Sequence, residues 1–270
     1  MAEIRIFETH AHYTLPDFDR DREELLGALP GAGIAAVLNA AIDFESNEAM
    51  IALAKQYPFL YTAAGVHPKC VDALDEAKFR AITEMLDEER VIAVGETGLD
   101  YHKGTQLMKA QKYWFHRFLN LAEEKNMPLV IHTRAAMEDT LAILREHTLP
   151  SRAGVIHCFN DDYETAQIYL EMGFKLGVGG AFTKDAPNSA RLDALRRVPR
   201  EAIVLETDCP YLIPAGCPGG RNHSLYLPVI LRALAELRGE REEELAEAAW
   251  ENTLAIFPEM KGGEHVSGNR

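Results

Sequence analysis

Six residues of metal-ligating type recur in one kind of place in this sequence. Each sits at the end of a short apolar run. The first run closes in Glu8-Thr9-His10-Ala11-His12, the fourth in Gly95-Glu96-Thr97-Gly98-Leu99-Asp100, and the fifth in Ile131-His132-Thr133-Arg134. The sixth closes in Ile156-His157-Cys158-Phe159 and the eighth in Leu205-Glu206-Thr207-Asp208-Cys209-Pro210. Alternate residues of an extended strand share a face, so His10 and His12 point the same way. An HxH pair alone means little. His10, His12, Glu96, His132, His157 and Asp208 together make four imidazoles and two carboxylates. That donor set suits two divalent ions, with Glu96 placed to bridge them.

The chemistry implied is hydrolysis by metal-activated water. A divalent ion lowers the pKa of bound water toward neutrality. Asp208 is expected to take the proton of that water as general base. His67, in Gly65-Val66-His67-Pro68 at the end of the third run, and Arg134 are expected to meet a phosphoryl oxygen, for which an Arg fork is well shaped. Arg221, in Pro218-Gly219-Gly220-Arg221-Asn222, is expected on a mobile loop that closes over substrate. The plainer readings are a rim salt bridge for Arg134 and an ordinary surface turn for the Arg221 loop. Cys158 and Cys209 each follow a proposed ligand by one residue and are expected to point away, behind the wall. His102, His116, His147 and His265 receive no ligand role, while His223 is a weaker candidate for touching substrate.

Something must bring these distant residues together. Eight short apolar runs, at 4–9, 35–40, 61–66, 91–96, 129–132, 154–157, 175–179 and 203–206, read as strands. Amphipathic stretches at 19–29, 45–57, 75–89, 107–126, 137–147, 163–172, 189–198 and 225–237 separate or follow them as helices. Alternation of this kind favours a parallel sheet with right-handed crossovers. Eight repeats close an α/β (β/α)8 TIM barrel, whose active sites form at the C-terminal ends of the strands. A doubly wound open sheet would carry a glycine-rich phosphate loop after its first strand; here that strand ends in His-Ala-His. Residues 1–257 are expected to form one domain, with a last helix at 240–256 lying across the barrel. The tail at 258–270 has little to bury and is expected to fray. Trp114 and Phe115, on a helical run, are expected in the core.

Bulk properties narrow the class further. The formal net charge is −14, which repels phosphate backbones at long range and argues against a nonspecific, salt-driven nucleic-acid binder. Bound cations can still bring phosphate to a local site. The opening residues are too short and polar for a signal peptide, and no apolar run approaches the ~18 residues that span a bilayer. The four cysteines form no CxxC pair, so a cytoplasmic protein with reduced thiols is expected, a Cys209–Cys217 disulfide being the alternative.

The motifs together resemble the TatD family of metal-dependent deoxyribonucleases, within the amidohydrolase-like barrels. The likeness runs from about residue 6 to residue 257. It is carried by Thr9-His10-Ala11-His12, Gly65-Val66-His67-Pro68, Gly95-Glu96-Thr97-Gly98-Leu99-Asp100-Tyr101, Val130-Ile131-His132, Val155-Ile156-His157-Cys158-Phe159, Glu206-Thr207-Asp208-Cys209-Pro210-Tyr211-Leu212 and Glu251-Asn252-Thr253. The resemblance implies a TIM barrel, one or two divalent metals (Mg, Mn or Zn), and hydrolysis of phosphodiester bonds in DNA, often from the 3′ end. It implies metal ligands at His10, His12, Glu96, His132, His157 and Asp208, and a substrate or catalytic role for His67. The chain departs from the family pattern at Glu8, where Asp is usual. It departs again at Ala135-Ala136 for Asp-Ala, at Asn160-Asp161 for Ser-Gly, and at Arg221-Asn222-His223-Ser224 for Arg-x-x-Asn-Glu-Pro. All of these lie near the mouth. A small-molecule amidohydrolase or lactonase with the same cage is therefore the competing expectation, and a non-catalytic scaffold barrel a third.

Overall fold

Strand and helix alternate along the chain in a computed structural model that describes residues 4–261. The strands are β1 (Ile6–Ala11), β2 (Ile34–Ala40), β3 (Leu60–Ala64), β4 (Val91–Asp100), β5 (Leu129–Arg134), β6 (Gly154–Ile156), β7 (Phe174–Val178) and β8 (Ile203–Leu205). The helices are α1 (Arg22–Ala28), α2 (Phe44–Ala54), α3 (Glu76–Met85), α4 (Met108–Lys125), α5 (Met137–Arg145), α6 (Tyr163–Glu171), α7 (Ala190–Arg197), α8 (Leu227–Arg238) and α9 (Glu242–Ile256). All neighbouring strands pair in parallel, in the order β1 to β8. This is the expected TIM barrel. Local sequence sets several helix starts: Asp43, Asp75, Asp162 and Ser189 each accept a backbone N–H of the first turn that would otherwise lack a partner.

Two apolar layers hold the barrel. The larger lies between sheet and helices and includes the buried Trp114, Phe115 and Phe118 of α4. The smaller fills the barrel interior with Phe7, Leu38, Tyr61, Val130, Val155 and Val204, joined from below by Ile256, Phe257 and Met260. The indole of Trp250, on α9, stacks on Phe7 with ring centroids 3.9 Å apart. The last helix thus closes the floor. Residues 258–261, expected to fray, instead make a helical turn: Met260 is fully buried and the Tyr61 hydroxyl donates to the Glu259 carbonyl at 2.7 Å. The apolar foot of the barrel holds this turn down. Residues 262–270 lie outside the described residues.

The inward face changes character with height. Val130 is followed two residues on by His132, Val155 by His157, and Val204 by Glu206, so one face of each strand is apolar at the foot and polar at the mouth.

The seam between β8 and β1 is closed by side chains as well as backbone. Asp208 N donates to His10 O at 3.0 Å and His12 N to Cys209 O at 2.9 Å. The buried Glu8 carboxylate accepts from Thr207 N at 2.8 Å and from the Thr207 hydroxyl at 2.7 Å. The Thr9 hydroxyl donates to Leu205 O at 3.0 Å. Burial, partly offset by these hydrogen bonds, pushes the Glu8 pKa up to about 8.

Candidate metal centre

The β4–β5 pair runs past its apolar residues and lifts the mouth. Asp100 pairs with Arg134 in register, four residues beyond Glu96, because the polar Glu96–Asp100 segment is itself buried. A register shift between Gly95 and Thr97 takes Glu96 out of the ladder. A bulge of that kind re-aims a side chain. At Gly98, with φ +139°, the backbone passes so close to the His132 carbonyl that a Cβ would collide with it.

Glu96 is 1% exposed and sits at the centre of the imidazoles. Its Oε2 lies 3.2 Å from His10 Nε2 and 3.8 Å from His12 Nε2. Its Oε1 lies 2.6 Å from His132 Nδ1, 3.7 Å from His67 Nε2 and 3.9 Å from His157 Nε2. Asp208 Oδ1 is 3.2 Å from His12 Nε2, 3.8 Å from His157 Nε2 and 3.9 Å from His10 Nε2. All six expected ligands therefore meet at one mouth, and Glu96 belongs to two groups of them: His10–His12–Glu96 and Glu96–His132–His157.

The arrangement fits divalent cations. His10 Nε2 and His12 Nε2 face each other at 3.2 Å, and Glu96 Oε2 is buried with no hydrogen-bond donor among the described residues. Nitrogens and oxygens converging in this way lack a shared positive partner. The rear atoms set the tautomers. His12 Nδ1 lies 2.9 Å from the Ala40 carbonyl, which leaves the Nε2 lone pair turned to the mouth. His132 Nε2 lies 3.2 Å from Asp100 Oδ2, and His157 Nδ1 lies 3.0 Å from Glu206 Oε1. Burial raises the pKa of Glu96 and of Asp208, yet the surrounding imidazoles outweigh it and hold both carboxyls below their usual range.

His67 stands beside the cage in a different role. It caps the 3-10 turn Pro68–Ala73, its Nδ1 accepting from Lys69 N at 3.0 Å. Its proton therefore sits on Nε2, which faces the mouth. Burial, with help from neighbouring cations, drives its pKa down to about 3, so the ring is a neutral hydrogen-bond donor.

Three supports, the buried Asp100 and Glu206 and the exposed Lys69, were missed in the sequence. Asp100 accepts from His102 N at 2.9 Å and meets Lys69 Nζ at 2.9 Å as well as His132. Glu206 accepts from Cys158 N at 2.7 Å as well as meeting His157. The signal for Glu206 was available: it sits two residues before Asp208, on the inward face that Val204 begins. Lys69 and Asp100 carried no such pattern.

Other expectations fare differently. Cys209 is buried in the outer core as expected. Cys158 does not point away: with φ +48° its left-handed backbone turns the thiol to within 4.8 Å of ligand atoms on His157 and Asp208. Burial holds that thiol well above its usual pKa, which disfavours the thiolate form. Cys209 and Cys217 are free thiols. Arg134 is exposed beside a cavity of about 460 Å³ and makes no ion pair among the described residues, so the rim salt bridge is absent. Arg221 gives its fork to Asp21, at 2.9 and 2.6 Å, and lies over the Phe18 ring. Its loop is tied to the start of α1 rather than hanging free. His223 stacks on Tyr226, while His116 and His147 pair with each other at 2.7 Å on the α4–α5 side.

The TatD related DNase family model matches residues 7–258. The chain belongs to this family. Among its TatD relatives is the uncharacterized metal-dependent hydrolase YabD of Bacillus subtilis, 33% identical over 254 residues, which cover 93% of this chain and 98% of that protein. The 3′-5′ ssDNA/RNA exonuclease TatD of Pantoea ananatis is 31% identical over 257 residues, 93% of this chain and 99% of that one. The crystal structure of YjjV, a TatD homolog from Escherichia coli K12, superposes with a TM-score of 0.89 at 30% identity, covering 94% of this chain and 98% of that chain. The chain is thus a TatD-type metal-dependent hydrolase with a His/Glu/Asp candidate metal site. Within that family frame, Glu8 is a seam residue: its longer side chain reaches Thr207 beyond β8 rather than the cage. No helix among the described residues is long and apolar enough to cross a membrane.

Proposed function

We propose that this TatD-family chain hydrolyses phosphodiester bonds in DNA, removing nucleotides from the 3′ end. The observation that carries the reading is the position of Glu96, shared between two imidazole groups with Asp208 beside them. His10, His12, Glu96 and Asp208 would hold one divalent ion, and Glu96, His132 and His157 the other. Two Mg²⁺, Mn²⁺ or Zn²⁺ ions bound there supply Lewis acidity and make water a nucleophile near neutral pH.

The side chains divide the remaining work. Asp208 is ionised and takes a proton from the attacking water as general base. His67 directs a neutral N–H at the mouth, where it donates to a phosphoryl oxygen as charge builds there. Arg134 offers an unpaired fork to the neighbouring phosphate. Arg221 serves substrate only through the loop it anchors on Asp21. The exonuclease names of relatives support DNA or RNA as the substrate class.

A second reading, hydrolysis of an amide or lactone of a small molecule, is favoured by one observation: Glu138, Asp139 and Asp161 line the cavity beside Arg134 and disfavour a polyanion there. End-labelled single-stranded DNA, a plain phosphodiester, an ester, an amide and a lactone, each with Mg²⁺, Mn²⁺ or Zn²⁺, separate the two. Loss of label first from the 3′ end supports the nuclease. Amide or lactone turnover with DNA untouched overturns it.

A further inference from the structure

His10 and His157 are stacked, with ring centroids 3.5 Å apart and planes 19° from parallel. Both rings present Nε2 to Glu96 and Asp208 at the mouth. In both rings Nε2 is thus taken up at the mouth, and the nitrogen left over is Nδ1, buried in each case. Glu206 is fully buried. Its Oε1 is 3.0 Å from His157 Nδ1. Ligand atoms of His10, His157 and Glu206 all fall within 4.8 Å of one another.

We propose that Glu206 is a positioning residue for two cage histidines at once, accepting the Nδ1–H of His157 through Oε1 and that of His10 through Oε2 across one shared water. Three further observations support it. His10 Nδ1, His157 Nδ1 and Glu206 Oε2 are all buried without a hydrogen-bond partner among the described residues, so two imidazole nitrogens and one carboxylate meet here with hydrogen-bonding capacity still to be filled. Gly177 faces Glu206, and a Cβ at that position would collide with Oε2 and with Cδ. The missing side chain is what lets the carboxylate lie under the rings. Cys158, whose left-handed backbone is unfavourable for a residue other than glycine, aims its N–H at Oε1 at 2.7 Å. Backbone and side chains on β7 and just beyond the ends of β6 and β8 are thus shaped around this one carboxylate.

The consequence is directional. With both Nδ1 atoms protonated and engaged, both Nε2 lone pairs are committed to the mouth. A carboxylate beneath two imidazoles also raises their strength as ligands. The inference rests on the metal-cage reading, but not on DNA as substrate.

The test uses the full chain loaded with zinc and long-range ¹H–¹⁵N imidazole spectra. The expected result is Nδ1–H and zinc-bound Nε2 at both His10 and His157. Zinc bound through Nδ1 of either ring overturns the inference and leaves the cage reading intact. No zinc binding at all overturns both. In Glu206→Gln, zinc affinity is expected to fall roughly 10–100-fold, with the two imidazole patterns changed, and Glu206→Asp to recover part of the loss. Unchanged spectra and affinity in a folded E206Q overturn the inference. Should E206Q fail to fold, the wild-type spectrum decides alone.

Discussion

Lys69 Nζ lies 2.9 Å from Asp100 Oδ2, the same oxygen that meets His132 Nε2 at 3.2 Å. A surface-reaching cation thus ends on a buried carboxylate that orients a cage histidine. Burial raises the Asp100 pKa, yet hydrogen bonds from His132, Lys69 and the His102 N–H outweigh it and hold the carboxyl well below its usual range. Asp100→Asn is expected to keep the barrel folded and to weaken metal binding by roughly 10–100-fold, because His132 loses the negative charge of its orienting partner. Titration calorimetry with Mn²⁺ checks this, and wild-type affinity in the variant would remove Asp100 from the metal centre.

Asp208→Asn removes the base while keeping shape. Turnover is expected to fall by roughly 10²–10⁴, with little change in thermal stability. Single-turnover rates measured at saturating metal report the loss directly. A variant that turns over like wild type would exclude Asp208 as the group that accepts the proton.

Glu96→Ala removes the carboxylate common to both imidazole groups. Metal stoichiometry is expected to drop, and the rise in Tm that added metal gives the wild type is expected to shrink, since ligand binding to the folded state alone stabilises it. Chelation should lower the wild-type Tm and leave the variant almost unmoved. Equal metal content in both proteins would contradict sharing by Glu96.

Glu8 offers a pH prediction with a definite sign. Its folded pKa, raised to about 8, exceeds the unfolded value near 4.5. Between these limits the folded chain binds the extra proton, so the contribution of Glu8 to stability is complete below pH ~4.5 and is lost as pH rises through ~8. Glu8→Gln mimics the protonated acid. The variant's stability relative to wild type should therefore climb across that window and level off above it. Parallel pH–stability curves for the two proteins would show that Glu8 does not carry this proton.

The two mouth arginines should separate cleanly. Arg134→Ala is expected to raise KM for DNA more than it lowers kcat, as an exposed phosphate contact would. Arg221→Ala should cost about 0.5–1 kcal/mol of stability through its part-exposed pair with Asp21, with KM unchanged. Chemical denaturation and steady-state kinetics on both variants distinguish them; a KM effect at Arg221 and none at Arg134 would reverse the assignment.

What could be read in the chain follows from which forces are local. All eight strands were legible because β-branched apolar runs with period-two faces recur between amphipathic stretches. The convergence of His10, His12, Glu96, His132, His157 and Asp208 was legible because a parallel barrel sends every strand end to one rim. The supports were not. Asp100 and Glu206 act through another residue's far nitrogen, and no spacing rule marks such a partner. Cys158 was misplaced because a left-handed φ reverses the expected side-chain direction. The pairing of Arg221 with Asp21 was not legible because the two lie 200 residues apart. The turn at residues 258–261 was missed because Met260 finds its apolar surroundings in strands far back in the chain.

Phe7 and Trp250, stacked at the foot of the barrel, lie far apart in the sequence. During synthesis Trp250 leaves the ribosome long after Phe7. The earlier strands can pair as they emerge, but their lower surface stays open to solvent and chaperones until α9 is released. Native assembly is therefore expected to wait for α9, and a chain cut before α9 is expected to leave the apolar foot of the barrel uncovered.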